Sequence, residues 1–138
     1  MTELLLVLTI LFWGIAPIFD KAALKAGGDP FMGTALRGMF VGIAMLTTTL
    51  VAEKMKPLIN MPGKAVTFFI LSGLFAGALG VFTYYKALQT GPTSKIVPLA
   101  STYPLVTAAL SVLFLGETLT AARIAGILLI VVGILLVK

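Results

Sequence analysis

Cysteine and histidine are both missing from this chain of 138 residues, and charge is scarce. Without cysteine there is no disulfide framework and no thiolate metal site. Without histidine the commonest general base and metal ligand is gone. Charged residues are 11% of the chain, against about 25% in a soluble globular domain. Such a chain cannot clothe a water-facing surface. With 59% apolar residues and a mean hydropathy of +1.12, it reads as an integral membrane protein. Its length allows one compact unit and no separate soluble domain.

Further absences narrow the function. There is no HExxH, no GxSxG with a partner base and no P-loop. An intramembrane aspartyl protease needs two embedded acids, and Asp20 and Asp29 both fall near helix ends. An enzyme is therefore not expected, nor is a metal or other cofactor. The formal charge of +5 has no basic patch behind it. Its lysines stand singly at the ends of apolar runs, as interfacial anchors do, so a nucleic-acid partner is not expected. The first segment has Glu3 before its apolar run and its cations after, the wrong polarity for a cleaved signal. No internal repeat occurs, and no ten-residue alternation that would mark a barrel strand.

What is present is five apolar runs, each near the ~20 residues that cross a bilayer as a helix. They predict helices over about residues 3–24, 31–52, 65–88, 94–115 and 121–137. "GGDP" at 27–30 is a turn signal, with Pro30 suited to start the second helix. "LINMPGK", "QTGPTSK" and "GETLT" supply the later loops. The expected fold is an all-α integral membrane protein of five transmembrane helices, one domain over residues 1–138.

Orientation is poorly biased. With five crossings, Lys54, Lys56, Lys64 and Arg123 share the side of the N-terminus. Lys21, Lys25, Lys86, Lys95 and Lys138 take the other, with Arg37 a little inside it. Four cations against five is no excess for the positive-inside rule to act on. Three readings stand: insertion both ways up, orientation set by an outside factor, or one or two strongly placed cations deciding alone.

Polar and small residues mark the candidate sites. "VPLASTYPL" puts Pro98, Ser101, Thr102, Tyr103 and Pro104 in mid-run of the fourth helix. Each proline removes an amide donor and frees a carbonyl, which a membrane tolerates only beside protein, hydroxyls or water. These residues either line a polar path or simply heal a kink locally. Gly73, Gly77, Gly80 and Tyr84, spaced four, three and four apart, share one face of the third helix. That face is either a groove ending in a phenol or plain tight packing. Gly38 and Gly42 form a GxxxG, and Gly126 and Gly133 lie seven apart on the last helix. Such faces are association surfaces. Trp13, in "WGIAP", suggests a lined cavity or core packing. Arg37 and Lys86 either snorkel or serve a charged solute. Asp20 is the sole acid placed to couple protons.

"FWGIAP" at 12–17, Arg37 and "YYKALQTGPTSKIVPLASTYPLVTAALSVLFLGETLTAARIAGILLIVVGILLV" at 84–137 together resemble an EamA domain, the repeat unit of the drug/metabolite transporter superfamily. The "AL" before a G-P turn, the P-L, the second proline, "FLGE" and the G-x6-G last helix stand in family order. The resemblance implies half of a ten-helix carrier made of two inverted five-helix units, moving small metabolites, amino acids or drugs, often outward. It also resembles the four-helix small multidrug resistance proteins in size, but lacks their glutamate in mid-helix one. Family and cation balance together point to an antiparallel homodimer, dual in topology, in a prokaryotic inner membrane. Its partners would be membrane lipid, a small-molecule substrate and a second copy. The site would lie between subunits, with helices one, three and four contributing. A half-transporter needing a separately encoded partner, and a non-transporting structural subunit, are the rival expectations.

Overall fold

The computed structural model describes residues 1–137, and among these the only regular structure is helical. Lys138, one of the cations counted above, lies outside the described residues. Four helical stretches are long and apolar enough to cross a membrane: Thr2–Lys25, Pro30–Val51, Gly63–Thr90 and Thr93–Leu115. The last helix, Ala121–Val137, has 17 residues, the lower limit for a span. Four clear spans and one shorter apolar helix therefore stand where five spans were expected. The chain divides into two compact units, one of residues 19–89, the other of residues 1–18 and those from Thr90 onward.

In the unit of residues 19–89, helix ends are set by local chemistry. The end of α1 (Thr2–Lys25) is closed by Gly27 at φ 93°. Its amide bonds Leu24 O at 3.2 Å, and that of Gly28 bonds Ala23 O at 3.0 Å. This paired arrangement satisfies carbonyls that the helix leaves open, and it needs a left-handed residue that glycine supplies without strain. Asp29 then caps α2 (Pro30–Val51), accepting the Met32 amide at 2.9 Å, with Pro30 in the first turn where no amide is needed. The same closing motif ends α2, but there Glu53 takes the left-handed place at φ 54°. A one-turn helix, α3 (Met55–Ile59), occupies part of the expected loop.

The third span is not one uniform helix. It runs as α4 (Gly63–Ser72), a π-helical stretch over Gly73–Gly80, and α5 (Val81–Thr90). In the middle stretch each amide reaches back five residues rather than four, so a turn holds more of the chain. The core of this unit gathers on α5, where Leu88 is fully buried and Tyr85 is 6% exposed. Phe31 and Phe82 meet edge to face at 6.1 Å.

In the other unit the fourth span divides. α6 (Thr93–Ala100) stops, Ser101 and Thr102 turn, and α7 (Tyr103–Leu115) begins. Pro98, Ser101, Thr102, Tyr103 and Pro104, expected in mid-run of a single fourth helix, are therefore divided between two helices and the turn that joins them. Pro98 lies inside α6, whereas Pro104 sits in the first turn of α7, where a missing amide leaves no bond unmade. Pro104 starts a helix rather than bending one. Gly116, left-handed at φ 67°, ends α7, and α8 is Ala121–Val137.

Most large apolar side chains on the spans stay exposed, Phe40 and Phe114 to 73% and 80%. In water that would be untenable; in a bilayer, or against another protein, these faces have a partner.

Candidate functional site

Three polar side chains from three helices meet in the unit of residues 19–89. Asp20 comes from the last turns of α1, Arg37 from the second turn of α2, and Tyr85 from α5. The Tyr85 hydroxyl donates to Asp20 Oδ1 at 2.8 Å and accepts from Arg37 Nη1 at 3.3 Å. Arg37 Nη1 also stands 3.5 Å from Asp20 Oδ2. The carboxylate side chain is 13% exposed and the guanidinium side chain 45%. The phenol is therefore the buried hinge of the cluster, and the arginine is its open end.

Backbone features let the cluster close. A Cβ at Gly33 would stand 3.3 Å from the Tyr85 ring, tighter than an ordinary contact, so glycine there admits the ring. Next to Asp20, Lys21 donates to the carbonyl of Leu88. This pins the end of α1 to α5. Tyr84 packs beside Tyr85, ring centroids 6.1 Å apart, and its buried hydroxyl has no hydrogen-bond partner among the described residues.

A charged group within a span is costly unless it is paired or faces water. Here carboxylate and guanidinium neutralise one another, and the phenol occupies a bond from each. A solute carboxylate can compete with Asp20 for Arg37, and a proton on Asp20 loosens the pair. Among the described residues no group of three or more acids offers a metal site.

Of the charged candidates from the sequence, Asp20 and Arg37 are brought together and Lys86 is not. Lys86 is exposed, its Nζ 5.5 Å from the centre of the Phe82 ring. Tyr85 was missed for a physical reason. The glycine spacing pointed to Tyr84 on the assumption of α-helical turns throughout. The π-helical stretch takes up extra chain, so the next residue along comes to the site. "YY" at 84–85 was the available signal.

The proline-rich candidates lie in the other unit. There the Ser101 hydroxyl bonds Val97 O at 2.8 Å and that of Thr102 bonds Leu99 O at 2.7 Å. Both are engaged in satisfying the backbone at the break between α6 and α7. Tyr103, Pro104 and Gly126 line a cleft of about 610 Å³ between α7 and α8, with Glu117 and Arg123 also on its wall. Trp13 is 65% exposed and lines neither this cleft nor the groove described next. In the unit of residues 19–89, Gly38, Gly73 and Gly77 line an apolar groove of about 710 Å³. A Cβ at Gly42 or Gly133 would meet nothing, whereas at Gly80 it would stand 2.8 Å from the Phe75 carbonyl oxygen.

The EamA-like transporter family matches residues 1–138. The chain belongs to that family. It is 35% identical over 131 residues to an uncharacterized protein of Methanocaldococcus jannaschii, covering 95% of this chain and 91% of that one. An uncharacterized transporter of a Sinorhizobium species is 27% identical over 129 residues, covering 94% of this chain and 90% of its own length. An uncharacterized transporter of Bacillus subtilis is also 27% identical, over 128 residues, but the match takes in 91% of this chain and only 41% of that protein. No solved structure gives a significant match. This EamA-family chain is thus an integral membrane protein related to transporters, and its relatives come in two sizes.

Proposed function

We propose that this EamA-family chain is a secondary transporter or facilitator of small metabolites, amino acids or drug-like solutes, working outward as an antiparallel homodimer in a prokaryotic inner membrane. The observation that carries this reading is the pair of sizes among its relatives. A match spanning 41% of the Bacillus transporter leaves that protein room for a second unit of the same size. Carriers commonly rock two inverted repeats about a midplane site, and a chain with one unit acquires the second from another copy. α8 then serves as a fifth crossing, at the short limit for a helix. The near-balance of cations across the membrane supports insertion both ways up.

The Asp20–Tyr85–Arg37 cluster is the part of the unit suited to meet a solute. An arginine paired to an acid through a phenol offers a displaceable anion site, which favours zwitterionic or anionic solutes. The test is flux. Purified protein, the only protein in a liposome, is loaded against a panel of radiolabelled amino acids. Saturable uptake abolished by Arg37→Ala supports the reading. Absence of flux for the whole panel, with uptake restored when a homologous partner is added, moves the reading to a two-gene carrier. No flux under either condition leaves a structural subunit.

A further inference from the structure

The third span holds an arrangement that its transport reading does not use. Eight residues, Gly73–Gly80, are wound as π-helix, directly before the turn that carries two adjacent tyrosines. Such stretches are rare, and α-helical bonding competes with them everywhere. Gly80 marks what holds this one. A Cβ there would stand 2.8 Å from the carbonyl oxygen of Phe75, five residues back. Only a residue without a side chain accepts that approach. At Gly73 and Gly77 a Cβ would meet nothing within 4 Å, so glycine is not required by contact at either.

We propose that Gly80 is a positioning residue for the Asp20–Arg37 pair, and that the stretch it ends lets Tyr85 and Tyr84 take turns as the phenol between them. A widened turn contains one residue more than an α-helical one. If it relaxes to four-residue bonding, everything after it advances by one position, about 100° of rotation and about 1.5 Å of rise. The place held by Tyr85 then falls to Tyr84. Because the residues are identical, the exchange puts a phenol back in the same place. Tyr84 is prepared for it: its hydroxyl is already buried and lacks a hydrogen-bond partner among the described residues, while that of Tyr85 makes two bonds. One residue would separate the two states, and each would leave one tyrosine bonded and the other waiting.

The same shift gives each register a different core. Leu88 is fully buried in the present register, and its place would pass to Ala87. A smaller side chain there leaves a void, so the present register is the major one and the other a minority state. The proposal concerns how the unit moves, and therefore deepens the transport reading. Its test needs no solute and no flux, so either can fail without the other.

The chain has three tyrosines, so 3-fluorotyrosine gives three fluorine resonances in nanodiscs, assigned by Tyr84→Phe, Tyr85→Phe and Tyr103→Phe. Gly80→Ala should move the Tyr84 resonance towards the native Tyr85 position and the Tyr85 resonance away from it, with Tyr103 as an unmoved reference. Gly77→Ala, on the same stretch but without a clash, should leave all three in place. Should Gly80→Ala not fold, Ala87→Leu is read instead: it gives the alternative register its own leucine and should move the same two resonances in the same sense. Native Tyr84 and Tyr85 positions in a folded Gly80→Ala, or in Ala87→Leu where that stands in for it, overturn the proposal. So does an equal shift in Gly77→Ala, which would make the response one of general loosening.

Discussion

Glu53 and Gly27 occupy the same place in the same closing motif, one at the end of α2 and one at the end of α1, yet only Gly27 is free of strain. A residue with a Cβ costs on the order of 1 kcal/mol in the left-handed region. Glu53→Gly is therefore expected to stabilise the protein by about that amount, and Gly27→Ala to destabilise it comparably. Denaturant unfolding in detergent, followed by helical circular dichroism, reads both. Tyr85→Phe is the informative change at the site. It removes a hydroxyl bonded to a carboxylate, a bond worth about 2 kcal/mol, and leaves the ring and the Gly33 contact unchanged. A midpoint equal to that of the unaltered protein would mean the hydroxyl merely sits near Asp20. At this scale "YY" was plain in the sequence, and which tyrosine mattered was not. The choice turned on one residue of extra chain in the preceding turns, which hydrophobic periodicity does not register.

Among the elements, the fourth span carries the clearest contrast between two like residues. Pro98 is inside α6 and leaves a carbonyl of the preceding turn without its amide, whereas Pro104 stands where a helix has amides to spare. Pro98→Ala is expected to return an amide to the Ser94 carbonyl inside α6 and to impair flux while the protein still folds. Pro104→Ala should alter flux little, by comparison in the same liposome assay. Equal effects would show that flux does not depend on where each proline sits. Ser101 and Thr102 hold the break by bonding carbonyls of α6, so Ser101→Ala with Thr102→Val should lower stability by about 1 kcal/mol for each lost bond. The runs, their loops and the prolines were legible from hydropathy and turn chemistry. Which residues of the fourth span turn, and the π-helical middle of the third, were not. A proline marks a disturbance without fixing where the helix stops, and a widened turn keeps the apolar pattern of a helix.

For the whole molecule, orientation in the membrane can be measured directly on this chain. With no cysteine of its own, a single Asn60→Cys, between α3 and α4, reports the side of one loop without removing a cation. Labelling with a membrane-impermeant thiol reagent, before and after permeabilisation, is expected to reach about half the sites from outside, as balanced flanking charge implies. Labelling of all or none would mean a single orientation, and would turn the search to a partner inserted the other way. Composition alone determined that this protein lives in a membrane, since too little charge leaves no other solvent, and motif order determined its resemblance to the EamA domain. The Asp20–Tyr85–Arg37 cluster was decided only by the tertiary structure. Its members are separated by 17 and 48 positions in the chain, and helices that must satisfy their own backbones in lipid leave no local pattern saying which distant side chains will meet.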